Sequence, residues 1–159
     1  MKEPAIQDFY PDDFSHCYGC GKLNAAGYRI RTLWDGDETL TRFTPQSHHI
    51  ALPGFVYGGM VASLIDCHAM ATASAAALRA GGHAIGQAPS PRYVTAQLNV
   101  TYLKPTPLGH ELEIRGRVKE STGRKTLVEV VVSVAGAVTA KGEVVAVPMP
   151  ESMGKARPA

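Results

Sequence analysis

Asp66 stands inside the most apolar stretch of the chain, Met60 to Leu78, where an ionised carboxylate without a partner is costly. Partial desolvation there would tune it as a general base or a nucleophile. A solvated helix face, or a cap on a neighbouring loop, is the plainer reading of the same acid. Gly58-Gly59 lies just where the helical pattern starts. A helix N-terminus presents unpaired amide donors, and glycine lets a substrate carbonyl come close to them, so the pair is a candidate oxyanion site. A tight turn needing positive φ is the ordinary alternative. From Gly59 to Asp66 is seven residues, or two helical turns. That spacing sets the acid on the azimuth of the helix entry, roughly 10 Å along the axis. An extended substrate reaching in across a dimer interface could touch both.

The elements that would position these groups follow from periodicity. Met60, Val61, Leu64, Ile65, Ala69, Met70, Ala73 and Ala76 to Leu78 recur at helical spacing, with no proline until Pro89 and with Gly81-Gly82 as the stop. The helix is apolar almost all round and rich in small side chains, which marks it as buried and open to close approach by a sheet. Before it, Tyr28 to Trp34 and Glu38 to Thr44 read as strands about an Asp35-Gly36-Asp37 turn. After it, alternation over Thr95 to Tyr102, Glu111 to Lys119, Thr126 to Ala135 and Ala137 to Val147 predicts four strands, expected as an antiparallel meander. Two strands, a buried helix and four strands require a sheet curled round the helix. This is an α+β arrangement, the hotdog fold, with about six strands. Exposed sheet edges then call for a dimer. Residues 1–27 read as an extended or loop-like lead-in, 28–148 as the single domain and 149–159 as a flexible tail.

At 159 residues the chain suits one domain, and 45% hydrophobic against 19% charged residues excludes a disordered protein. Three cysteines are too few for a disulfide scaffold, and the odd count points to a reducing cytoplasm. Sixteen basic against fourteen acidic residues, with no strong basic cluster, argues against nucleic acid as a partner. Asp66 and His68 interrupt the apolar helix, which argues against a membrane span, and the first residues lack the core of a signal peptide.

The segment Pro53-Gly54-Phe55-Val56-Tyr57-Gly58-Gly59-Met60-Val61-Ala62-Ser63-Leu64-Ile65-Asp66 resembles the His-Gly-Gly…Leu-Asp signature of PaaI-like acyl-CoA thioesterases. Thr95 to Pro105 is similar to the strand that follows the helix in that family, and Cys17-Tyr18-Gly19-Cys20-Gly21 to the lead-in of some members. The resemblance implies hydrolysis of an acyl-CoA thioester by a homodimer or homotetramer, with no metal or organic cofactor because water is the second substrate. It implies Asp66 as the catalytic carboxylate, the Gly58 amide as the group that polarises the carbonyl, and Thr95 as a holder of the attacking water from the partner subunit. Tyr57 stands where the family has histidine before the glycine pair: it is a catalytic candidate as a hydrogen-bond donor that supports the carbonyl or orients the loop, but a phenol is no base near neutral pH. That departure favours the rival reading, an acyl-CoA binding or sensing protein without turnover.

Lys104 and Arg124 are candidates for the CoA phosphates. His48 and His49 lie in the loop before the helix and could reach the site. They also resemble the loop histidine of hotdog dehydratases, although Asp66 falls later than that pattern places its acid. His68, about 200° round the helix from Asp66, reads as a packing residue. His16, Cys17 and Cys20 supply three soft ligands but no second pair at metal spacing, so packing of the lead-in is preferred to a metal or a disulfide.

Overall fold

A helix composed of alanine and small apolar residues can be buried deeply, and α1 (Gly58–Ala80) is so buried through its middle in the computed structural model, which describes residues 3–155. Gly59, Ala62, Ser63 and Asp66 are half-buried along one side of its first half. Every residue from Cys67 to Ala75 is buried. By length and composition α1 could cross a membrane, yet 72% of its most apolar stretch is buried within the protein. The sheet lies close against it because two strand positions lack side chains. A Cβ on Gly142 would come within 2.3 Å of Ile65 Cγ2, and one on Gly116 within 2.8 Å of His68 Nε2.

Six antiparallel strands wrap the helix: β1 (Leu33–Asp35), β2 (Glu38–Phe43), β3 (Tyr93–Tyr102), β4 (Leu112–Ser121), β5 (Thr126–Val134) and β6 (Ala137–Pro148), in the spatial order β1-β2-β4-β5-β6-β3. This is the hotdog fold expected from the element order. Strict alternation of buried and half-buried residues along β5 sets Thr126, Val128, Val130, Val132 and Val134 towards the helix. Three of the four long strands form the expected meander, β4-β5-β6. The fourth does not join it in sequence order, because β2 pairs with β4 and occupies the edge β3 would need. β3 crosses to the far side and pairs with β6, leaving its other edge open.

The first strand is also shorter than its hydrophobic pattern suggested. Between Tyr28 and Thr32 the backbone bonds to the lead-in instead of to β2: Tyr28 N–H to Tyr18 O (2.9 Å), Ile30 N–H to Gly19 O (3.1 Å), and Ile6 N–H to Thr32 O (3.0 Å). The lead-in is accordingly loop-like and not an extended strand. Its short 3-10 turns, Ile6–Phe9 and Asp12–Phe14, carry Ile6 and Tyr10 into the core. In the tail, Glu151–Gly154 forms a single helical turn, α2, and residues 156–159 lie outside the described residues.

One polar network runs through this core. His68 is fully buried, with Nδ1 2.9 Å from Thr41 Oγ1 and Nε2 3.1 Å from Thr39 Oγ1. Thr39 Oγ1 continues to Thr72 (2.6 Å), and Thr41 Oγ1 to Thr32 (3.0 Å), which Gln7 engages through both ends of its amide. Burial drives the imidazole pKa down to about 3, so His68 is a neutral packing residue that ties the lead-in, β2 and α1 together.

Candidate active site

The helix entry is held by backbone contacts from both sides. Tyr57 is the N-cap residue and donates its amide to His49 O (2.9 Å), while Tyr57 O accepts from Met60 N–H (3.0 Å) and Val61 N–H (3.3 Å). The amides of Gly58 and Gly59 have no helical carbonyl four residues earlier to donate to, and neither has a backbone partner among the described residues. The two glycines serve different ends. A Cβ on Gly59 would come 2.6 Å from the tip of the exposed Tyr57 ring, which would have to swing aside. A Cβ on Gly58 would meet only the Tyr102 ring, at an ordinary 3.6 Å, so packing within the chain does not explain that glycine. Tyr102 Oη donates to Gly58 O (2.6 Å), a contact from β3 that the sequence did not single out.

Beside this entry lies an open groove of about 330 Å³ lined by Phe55, Gly58, Val61, Tyr102 and Lys104. The expected phosphate ligand Lys104 thus shares a groove with the candidate oxyanion amide. The Tyr57 side chain is 57% exposed and Tyr102 52%, with Phe55 and Leu103 also exposed nearby. His49 packs its ring against Tyr28 and Phe43, and Nδ1 accepts the Gln46 amide at 2.9 Å. Burial and the neighbouring His48 hold its pKa below the ordinary imidazole value.

Asp66 is half-buried on α1, and Thr95 Oγ1 donates to its Oδ1. Desolvation pushes the carboxyl pKa up, the Thr95 hydrogen bond opposes that, and the nearby Cys17 sulfur adds to the rise. The Thr95 contact depends on a β-bulge. Val100 packs on the core, and strict alternation would send Thr95, five residues earlier, to the opposite face. The β3–β6 register skips Ala96, pairing Thr95 with Ala146 and Gln97 with Val145, and this extra residue turns Thr95 towards the helix.

Gly58 and Asp66 are eight residues apart, about 12 Å along the axis at 1.5 Å per residue. They contact opposite ends of β3, Gly58 through Tyr102 and Asp66 through Thr95. One thioester carbon cannot touch both within a single chain. Arg124 sits in the β4–β5 turn, at the Thr95 end of the sheet, because the pairs Ser121↔Thr126, Thr126↔Ala146 and Ala146↔Thr95 run in line. Next to Asp66 in sequence, Cys67 joins Cys17 and Cys20 in a cluster of three thiols. Cys67 takes the place that His16, exposed and outside the cluster, would have filled.

A single long helix wrapped by a six-stranded antiparallel sheet, with an acid two turns inside and a glycine pair at its mouth, defines a hotdog-fold protein with a candidate acyl-transfer site. The family model for the thioesterase superfamily matches residues 53–147, and the chain belongs to that superfamily. A solved thioesterase superfamily protein from Shewanella loihica PV-4 is 45% identical, with 87% of this chain and 98% of that one covered at a TM-score of 0.67. The mouse (Mus musculus) acyl-coenzyme A thioesterase THEM4 is 32% identical over 90 residues, 57% of this chain. The chain spans about a third of that relative's length (33%). The E. coli PaaI protein from the phenylacetic acid degradation operon shares the fold, at a TM-score of 0.62 and 12% identity over 77% of this chain and 81% of that one.

Proposed function

We propose that this protein hydrolyses acyl-CoA thioesters in the cytoplasm as a homodimer, or as a homotetramer built from such dimers. The observation that carries the reading is the pairing of a half-buried, Thr95-bonded Asp66 with a helix mouth whose Gly58 and Gly59 amides have no backbone partner among the described residues. Superfamily membership and the similarity to an acyl-coenzyme A thioesterase support the substrate class.

The partner supplies what one chain lacks. The open edge of β3, with Leu98 and Tyr102 exposed on it, is the surface a second copy would cover. Antiparallel apposition of two β3 strands brings the Thr95 end of one against the Tyr102 end of the other. Gly58 of one protomer then faces Asp66 of the second, which removes the 12 Å mismatch (about 12 Å, from the helical rise).

In this site the thioester oxygen accepts from the Gly58 amide, with Gly59 in support, and negative charge grows on that oxygen as the carbon is attacked. Asp66 takes the proton of the attacking water, which Thr95 helps to hold; the tetrahedral intermediate collapses and expels CoA thiolate, which is reprotonated. Direct attack by the carboxylate, with later hydrolysis of a mixed anhydride, leads to the same products. The raised pKa of Asp66 makes it a stronger base than an exposed aspartate. Lys104 in the groove, Arg124 on the turn and His49 behind the helix entry are the side chains assigned to the CoA portion.

Tyr57 favours a second reading, an acyl-CoA sensor, because a phenol stands where the resembling family has an imidazole. Thiol release from aliphatic and aromatic acyl-CoAs decides between them. Release under turnover conditions supports the thioesterase; saturable CoA binding by calorimetry without release from any substrate supports the sensor.

A further inference from the structure

The Cys17, Cys20 and Cys67 thiols converge from a loop and from α1 onto one point. Their sulfur atoms all lie within 4.8 Å of one another, and Cys17 Sγ is 3.8 Å from Cys67 Sγ. A tetrahedral zinc–thiolate set with Zn–S bonds of about 2.3 Å has sulfurs about 3.8 Å apart, so this pair already stands at the ligand spacing. We propose that these three cysteines form a binding site for a thiophilic divalent cation of the zinc class, with the fourth position open towards solvent on the Cys17 side.

Local structure is arranged around the sulfurs. Gly19 lies directly over Cys67, where a Cβ would come 2.3 Å from Sγ, so glycine is what lets the loop carry Cys17 and Cys20 onto the helix. The Gly21 amide closes the loop on Cys17 O at 2.8 Å. Cys20 and Cys67 are buried and Cys17 half-buried, so the opening to solvent is at Cys17.

Charge is matched as well. Three thiolates with a divalent cation carry one net negative charge. The Arg92 guanidinium lies beside Cys20 and over the Tyr10 ring (4.1 Å), and its Nη1 is buried without a hydrogen-bond partner among the described residues. A guanidinium with an unused donor at that point compensates the remaining charge. Soft sulfur ligands select zinc or cadmium over magnesium or calcium. The cluster adjoins Asp66 through Cys17 and Cys67, yet cation binding by the three sulfurs does not require thioester turnover.

The test is titration of the fully reduced, anaerobic protein with Cd²⁺, following the sulfur-to-cadmium charge-transfer absorption, and with Zn²⁺ in competition with a chromogenic chelator. One Cd²⁺ per chain is expected, together with a rise in melting temperature and protection of the three thiols from alkylation. Cys17→Ser is the first variant because Cys17 is half-buried; Cys20→Ser is the second. Each should weaken binding by more than the roughly 10–100-fold that follows loss of an outer-shell partner, with circular dichroism unchanged. Absence of the band in the wild type, or a band of full intensity in a folded Cys17→Ser protein, overturns the proposal. So does a Cys17–Cys67 disulfide, seen by mass spectrometry, that persists under the same reducing conditions.

Discussion

The buried histidine makes the stability of this protein pH-dependent in a calculable way. In the folded state His68 has its pKa at about 3, against 6.5 for an unperturbed imidazole, because burial disfavours the cation. Between those values the unfolded chain binds a proton that the folded one refuses, so stability falls as pH falls. The slope is about 1.4 kcal/mol per pH unit, which removes about 2 kcal/mol by pH 5 and about 3 kcal/mol by pH 4. Other groups titrate over the same window, so the comparison must be with His68→Gln, which cannot protonate there. That variant loses stability at every pH through its disturbed contacts with Thr39 and Thr41. Its stability should nevertheless fall less steeply on acidification, by about 1.4 kcal/mol per unit. The assay is urea unfolding of both proteins at a fixed protomer concentration, from about pH 7.5 down to about pH 4.5. Parallel pH profiles would refute the assignment of His68 as a neutral core residue.

Three further outcomes are expected. Gly58→Pro removes the candidate oxyanion donor at a first helical position that tolerates proline, after a Tyr57 already extended at φ −58° and ψ 125°. Turnover should drop about 10²–10³-fold with helix content intact, and mixing it with Asp66→Asn should restore up to about a quarter of wild-type activity if sites form across a dimer; full activity in Gly58→Pro contradicts the assignment. Thr95→Val removes the hydrogen bond that favours ionised Asp66, so the acid limb of the kcat/KM profile should move to higher pH; a limb that stays in place contradicts the role of Thr95. Gly142→Ala drives a Cβ to within 2.3 Å of Ile65 Cγ2. It should cost about 1–3 kcal/mol, or about 2–4 °C in Tm per kcal/mol by thermal unfolding; an unchanged Tm contradicts that packing.

The sequence showed the elements whose periodicity is strong and whose burial is uniform. The helix from Gly58 announced itself by apolar spacing and the Gly81-Gly82 stop, and β4 to β6 by alternation. It could not show where β3 goes, because which strand occupies the edge beside β4 is decided by β2 pairing with residues far along the chain, Leu40 with Arg115 (115 − 40 = 75 residues away) among them. What the lead-in buries was not legible, because Ile6 lies on a short 3-10 turn and Tyr10 just after it, with no period to detect. Within the site, Asp66 and Gly58 stood out by chemistry and spacing. Thr95 was suggested by family resemblance, yet its reach to Asp66 depends on a bulge at Ala96 that alternation cannot reveal. Tyr102 and Cys67 were legible only as a strand aromatic and a core residue, because their partners, Gly58 and Cys17, are 44 and 50 residues away.

Thiol release from the best acyl-CoA substrate, compared between the wild type and Asp66→Asn at equal concentration and verified fold, tests the central claim most directly. The account predicts steady release by the wild type and a loss of at least about 10²-fold in the variant, with acyl-CoA still bound. Release at the wild-type rate by Asp66→Asn would contradict it, and would take the carboxylate out of the chemistry.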